Sequence, residues 1–315
     1  MIQAKNLRKT YGDTVVLGDI SFTVSSGQIV GVLGRKGCGK TTIADILTGC
    51  LSCEGGQVSI GGFDIERYPK KAKSQIGYLP EKNPIYPDMT VFEYLMFSAR
   101  LKRLPRARRA QYIEKAMETT RSSGLSRQLI AHLSFGEARR VGLAAAILGD
   151  PHILLLDSPT EGLSPSDSRQ IRQIIKELRA GRTIMLFSSS LSEVADICHS
   201  VLVLNSGKIA AHESLARLRH VAGDKSRLKL RLVATPEQVR LMASRLPGLL
   251  DLDLTAGLEG GTVDAILESY AADDLRAAVW EYCQQLRTPV LEMRYLNISL
   301  EDIFLQLTGK TGGGV

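Results

Sequence analysis

Aromatic side chains are scarce in this chain, at 5% of 315 residues with a single tryptophan, Trp280. None of them interleaves the basic run Arg100, Lys102, Arg103, Arg106, Arg108 and Arg109. Surfaces that grip single-stranded nucleic acid stack bases on rings set between cations, so no nucleic-acid partner is expected. Cysteine is also sparse. The five residues Cys38, Cys50, Cys53, Cys198 and Cys283 are odd in number and scattered, which excludes a disulfide framework and suits a reducing compartment. Cys50-x-x-Cys53 lacks a second pair at zinc-site spacing and does not read as a metal site. Long apolar runs are missing too. The best candidate, Val141–Leu156, is broken by Gly142, Gly149, Asp150 and Pro151, and the first residues carry no signal-peptide core. These absences predict a soluble protein whose membrane role, if it has one, comes through a partner.

The length suits one large or two ordinary domains. Net charge is +7 but unevenly spread: residues 1–220 hold 30 Lys/Arg against 20 Asp/Glu, and residues 221–315 hold 10 against 13. The basic run reads equally as a solvated helical face or as a surface facing anionic lipid or an acidic loop of a partner. Up to about residue 217 apolar runs alternate with helical patterns, as in a strand–helix–strand nucleotide domain. Residues 82–145 are helix-rich within it and read as an inserted helical subdomain. Residues 218–226 read as a linker, with Gly223 and Asp224 as turn formers. From 227 to 310 the pattern is β-α-β-β-α-β, a small α+β ferredoxin-like domain. Its strands are expected at Arg227–Val233, Leu249–Leu254, Thr262–Leu267 and Val290–Tyr295, with a last helix capped by Ser299. Residues 311–315 read as a disordered end.

Residues 34–41 spell Gly-Arg-Lys-Gly-Cys-Gly-Lys-Thr, the G-x-x-x-x-G-K-[ST] pattern, between a strand-like run (Ile29–Leu33) and a helix-like one (Ala44–Leu47). Gly34, Gly37 and Gly39 let the backbone curl so that several N–H groups aim at one anion. Lys40 would reach the β- and γ-phosphates, and the Thr41 hydroxyl would ligate Mg²⁺. The pattern implies a site for a nucleoside triphosphate. Further along, Ile153-Leu-Leu-Leu-Asp157 is a buried strand ending in an acid, which places a carboxylate beside the metal.

With Leu133-Ser-Phe-Gly-Glu137 opening a helix ahead of that strand, and Tyr11 before the first strands, these landmarks resemble the ATP-binding subunits of ABC transporters over residues 2 to about 215. The segment from Ile76 to Leu95 and the ending Ser299–Thr308 are similar to those of exporters for drugs, lipids and gliding-motility components. The resemblance implies an α/β fold, a P-loop NTPase nucleotide-binding domain of ABC type with an inserted helical subdomain. It also implies ATP and Mg²⁺ as cofactors. Tyr11 would stack on adenine, and Arg35, Lys36, Cys38 and Thr42 would complete the phosphate loop. Thr41, Asp157 and Glu81 would hold the metal, and Ser134 and Gly136 would meet the ATP of an opposing chain. A membrane permease partner is implied, as is a dimer, either with itself or with an intact ATPase, at the inner face of the membrane.

The chain departs from this family where water is activated. Asp157 is followed by Ser158 rather than the Glu that polarises the attacking water, and Ser189 stands where a switch His is expected, with Ser190 as the alternative after a one-residue slip. Ser164 replaces an Asp at the dimer contact, Phe135 replaces a small residue in the signature, and Lys36 stands in place of Asn. His199 lies too far along to substitute and reads as a surface or packing residue. Glu161, three residues past Ser158, is set aside as a substitute base because its position points to the dimer contact. The expected outcome is ATP binding with weakened hydrolysis. A nucleotide-gated structural or regulatory module without meaningful turnover is the alternative.

Overall fold

The computed structural model describes residues 1–218, 225–257, 259–270 and 274–296. The chain divides between Leu215 and Ala216 into two units.

In the first unit, β1 (Ile2–Tyr11), β2 (Thr14–Val24), β4 (Gly55–Ile60) and β5 (Phe63–Asp64) form an antiparallel sheet in the order β2-β1-β4-β5. A second sheet combines β3 (Ile29–Leu33), β6 (Ile76–Leu79), β7 (Ile153–Asp157), β8 (Thr183–Ser188), β9 (Ser200–Asn205) and β10 (Lys208–Ser214) in the order β10-β9-β3-β8-β7-β6. All its neighbours run parallel except β10 against β9. Strands β3, β7 and β8 are buried at every position, which explains why they read as unbroken apolar runs: a parallel sheet is covered on both faces.

Successive side chains of a strand point to opposite faces. Ile153 and Leu155 of β7, with Met185 and Phe187 of β8, accordingly enter one core, shared with Ile43, Ala44 and Leu47 of helix α1 (Lys40–Thr48). Leu154, Leu156, Ile184 and Leu186 enter the other. That second core takes in the helices between β6 and β7, namely α3 (Val91–Leu101), α4 (Arg109–Thr119) and α5 (Phe135–Ile147), and also α6 (Pro165–Glu177). The same alternation puts Asp157 on the α1 side. Short helices α2 (Pro69–Ser74) and α7 (Leu191–Ile197) complete the unit.

Helix starts follow local chemistry. Thr90 and Glu93 form a capping box on α3, and Ser134 and Glu137 form one on α5. Ser164 caps α6 by accepting from the Asp167 N–H at 3.1 Å, with Pro165 at the first helical position. The basic run is not one uniform face. The Lys102 ammonium donates to the carbonyls of Ala145, Ala146 and Leu148 at the end of α5, and Arg109 donates through Nε to the Leu104 carbonyl.

The second unit has β11 (Lys225–Leu232), β12 (Leu249–Ala256), β13 (Val263–Tyr270) and β14 (Val290–Leu296) in the antiparallel order β12-β13-β11-β14, with helices Pro236–Ala243 and Leu275–Gln285. That is the ferredoxin-like arrangement. Leu228, Leu230 and Leu232 pack against Val239, Met242, Val279 and Cys283 of the two helices. The expected linker runs too far at its end, because Lys225 and Ser226 already pair with Tyr270 and Ser269. The ladder outruns the apolar alternation, which begins only at Leu228. Residues 219–224, the helix expected after Ser299 and the last five residues lie outside the described residues.

Trp280, the one tryptophan, sits half-exposed on a helix of this second unit, so its fluorescence reports that unit. Leu230 is fully buried there. Leu230→Ala should destabilise the unit by about 2–5 kcal/mol, seen as a lower midpoint in urea unfolding followed by Trp280 emission; an unchanged midpoint would contradict the packing described.

Candidate functional site

The phosphate loop turns from β3 into α1, and its glycines are required by geometry. Gly39 has φ +104°, and a β-carbon there would sit 2.8 Å from Leu17 Cδ2. At Gly34 one would press on the Leu204 carbonyl oxygen at 2.6 Å. Lys40 is buried, and its ammonium donates to the carbonyls of Gly34 at 2.8 Å and Arg35 at 2.9 Å, holding the loop closed on itself.

Over this loop lies a cavity of about 310 Å³ lined by Tyr11, Val16, Lys36, Gly37, Gly39, Lys40, Thr41, Thr42, Glu81, Ser158, Glu161 and Ser189. Residues far apart in sequence converge here. Three of the expected loop residues do not line it. Gly34 is buried beneath the loop, and Arg35 contributes its carbonyl to Lys40. The Cys38 side chain packs into the core beside α1, where burial pushes its thiol pKa up despite the Lys40 charge. Tyr11 is 51% exposed, leaving ring area for a flat base, and the Lys9 ammonium lies 5.7 Å from the ring centroid.

Asp157 ends β7 almost fully buried. Desolvation raises its carboxyl pKa, opposed by the Thr41 hydroxyl. Its Oδ1 lies 3.5 Å from the Ser158 hydroxyl, and its buried Oδ2 has no hydrogen-bond partner. Asp157 itself does not line the cavity, but its orphaned buried carboxylate oxygen lies near the Thr41 hydroxyl, and Thr41 and Glu81 both line the cavity; together they are an all-oxygen donor set of the kind a hard cation takes. The residues present fit Mg²⁺.

Ser158 and Ser189 both face the cavity. Ser158 stands in the left-handed region at φ +47° and donates its N–H to the Phe187 carbonyl at 2.8 Å. Of the two serines considered for the switch position, Ser189 lines the cavity, whereas Ser190 caps α7 by accepting from the Glu193 N–H. His199 accepts the Ile29 N–H at Nδ1, 3.1 Å away, and is a packing residue between strands. Glu161 lines the cavity and pairs with Lys36 at 3.6 Å.

Ser134 and Gly136 lie at the start of α5 and not in this cavity. The Ser134 hydroxyl accepts from the Glu137 N–H at 3.3 Å, and the Glu137 carboxylate takes the Ser134 N–H at 2.8 Å. Phe135 is 60% exposed and lies against Gly162, so its ring projects outward from the helix start.

Sequence reasoning missed two buried charges around the Asp157–Thr160 turn. Glu193 accepts from Thr160 Oγ1 at 2.7 Å and from Ser188 Oγ at 2.6 Å, with burial raising its pKa. Arg139 reaches the turn from the other side. Both read in sequence as ordinary charges on helices, since burial of a charge leaves no trace in helical spacing.

A family model described as ABC transporter matches residues 17–161. The lipopolysaccharide export system ATP-binding protein of Haemophilus influenzae is 34% identical over 215 residues, covering 67% of this chain and 89% of that protein. The chain belongs to the ABC transporter ATP-binding family. The linearmycin resistance ATP-binding protein of Bacillus subtilis is 26% identical over 317 residues, covering 99% of each chain, so this ABC protein and that one correspond end to end. Among solved structures, one titled as the ATP binding subunit of an ABC transporter superposes with a TM-score of 0.64 at 27% identity, covering 71% of this chain and 93% of that one. Among the described residues no helix is long and apolar enough to cross a membrane.

The thiols of this ABC protein should differ sharply in reactivity. Cys50 is exposed, whereas Cys38 is partly buried with its thiolate disfavoured. Limited alkylation at pH 8 should mark Cys50 first by peptide mapping; preferential marking of Cys38 would contradict its inward orientation.

Proposed function

We propose that this chain is the ATP-binding subunit of an exporter-type ABC transporter that binds ATP·Mg²⁺ firmly and hydrolyses it weakly. The observation that carries the reading is a single cavity lined by Lys36, Gly37, Gly39, Lys40, Thr41 and Thr42 in which the positions expected for the water-activating Glu and the switch His are both serine, Ser158 and Ser189. Tyr11 stacks on adenine, Gly34 to Thr42 wrap the phosphates, and Lys40 exchanges loop carbonyls for β- and γ-oxygens. Mg²⁺ would be held by Thr41, Asp157 and Glu81 and would neutralise charge on the β- and γ-phosphates. Binding of this kind does not depend on the groups that act only in the transition state, so it survives their loss. A serine hydroxyl does not accept a proton from water near neutral pH, and loss of a positioned base forfeits about 10²–10⁴-fold in rate.

Relatives named for lipopolysaccharide export and for linearmycin resistance support the exporter reading. In it, two ATP-binding chains close head to tail, with Ser134 and Gly136 of one meeting the nucleotide of the other, and closure drives a separate membrane permease at the inner face of the membrane. The second chain is another copy or an intact ATPase. The serine pair Ser158 and Ser189 also favours a stricter reading, in which ATP gates the subunit with no meaningful turnover.

Turnover and affinity measured together separate these. Lys40→Ala should weaken ATP binding by about 1.5–3 kcal/mol, the worth of a charged hydrogen-bonding group. The combined variant Ser158→Glu and Ser189→His should gain Lys40-dependent turnover of about 10²-fold or more over the unmodified chain. Turnover in the unmodified chain that the repairs do not raise would contradict the reading and turn attention to Glu161.

A further inference from the structure

Arg139 is only 3% exposed, yet it carries a charge into the interior of the first unit. Burying a guanidinium is expensive unless every donor is met. Here every nitrogen is used. Nε donates to the Pro159 carbonyl at 3.0 Å. Nη1 donates to the carbonyls of Pro80 at 2.7 Å and Glu81 at 3.0 Å, and to Asn83 Oδ1 at 3.3 Å. Nη2 donates to the carbonyls of Asp157 at 2.7 Å and Ser158 at 2.9 Å. Desolvation lowers its pKa to about 10, still well above neutrality, with Asp157, Glu193 and Glu81 favouring the charged form.

These acceptors are not a random sample of the core. They belong to two stretches at the ends of separate strands, one following β6 that carries Glu81 and one running from Asp157, the last residue of β7, through Ser158 and Pro159. The arginine itself stands on α5, the helix that Ser134 opens. One planar group thus fixes the backbone beneath two of the three candidate metal donors, at distances that a fork of fixed geometry sets. Asn83 reinforces the same junction, its Nδ2 donating to the Ala138 carbonyl at 2.7 Å.

We propose that Arg139 is the positioning residue of the metal site: by clamping the Glu81 and Asp157 loops to α5 it holds their carboxylates at the separation that Mg²⁺ bound with ATP requires. The inference rests on the ATP·Mg²⁺ reading above. Partners that orient metal ligands typically contribute about 10–100-fold to metal affinity. Lysine at this position keeps the charge and cannot span both loops, so it removes the clamp with the least loss of packing.

The test is ATP affinity by equilibrium dialysis, in EDTA and in saturating Mg²⁺, for the unmodified full chain, Arg139→Lys and Arg139→Met, with thermal unfolding of each. The gain in affinity on adding Mg²⁺ should shrink about 10-fold in Arg139→Lys, while affinity in EDTA stays near that of the unmodified chain. An Mg²⁺ gain that stays intact in a folded Arg139→Lys would overturn the proposal. So would equal losses in EDTA and Mg²⁺ in step with a lowered melting temperature, since that marks a structural role only. If Arg139→Met does not fold, Arg139→Lys decides. Failure of the unmodified chain to bind ATP in either condition would sink the ATP·Mg²⁺ reading itself, and the proposal with it.

Discussion

Everything at the candidate site depends on the parallel register of four strands. Leu33 pairs with Ser188, Asp157 with Phe187, and Leu79 with Leu156, so the carboxyl ends of β3, β8, β7 and β6 fall along one edge of the sheet. From that edge spring the phosphate loop, Ser189, Ser158 and Glu81. Open parallel sheets bind ligands outside such an edge because their loops converge there while both faces are covered. Burial of β3, β7 and β8 on both faces is therefore the same fact as the placement of the cavity.

Within this fixed frame the proposed reading is selective. The backbone curl at Gly37 and Gly39, the Lys40 ammonium and the buried Asp157 carboxylate would answer to phosphate and metal. The positions held by Ser158 and Ser189 would be those that answer to water and to the γ-phosphate. The turn that carries Ser158 is firmly held: Arg139 binds three of its carbonyls and Glu193 binds the Thr160 hydroxyl. In the proposed reading such a site would use ATP binding to shift the subunit between conformations.

Much of this was legible beforehand, for reasons that particular residues make plain. Gly34–Thr41 could be read because a phosphate cradle demands glycine and lysine at set spacing, and Ile153–Asp157 because a doubly covered strand is apolar to its end. The β-α-β-β-α-β order of the second unit followed from the two periodicities alone, 2 for Leu228, Leu230 and Leu232, and 3.6 for Val239, Met242 and Leu246. What stayed hidden were contacts between residues distant in sequence. Nothing in the spacing of Arg139 or Glu193 marks a buried charge, since their carbonyl and hydroxyl partners are invisible to side-chain pattern. The orientations of Cys38 and Glu161 also lay outside sequence pattern: a loop side chain goes where its surroundings take it, here the α1 core for the thiol and the Lys36 ammonium for the carboxylate.

At the centre of this reading is a site that binds ATP firmly and hydrolyses it weakly because Ser158 and Ser189 stand where a Glu and a His are expected. The test is the fraction of bound nucleotide that remains ATP with time, after the unmodified chain and the Ser158→Glu, Ser189→His variant are each held with one equivalent of ATP and Mg²⁺, quenched and separated by chromatography. ATP should disappear about 10²-fold or more slowly from the unmodified chain than from the variant. Conversion to ADP and phosphate as fast in the unmodified chain as in the variant, abolished when the phosphate-loop lysine is removed, would contradict it.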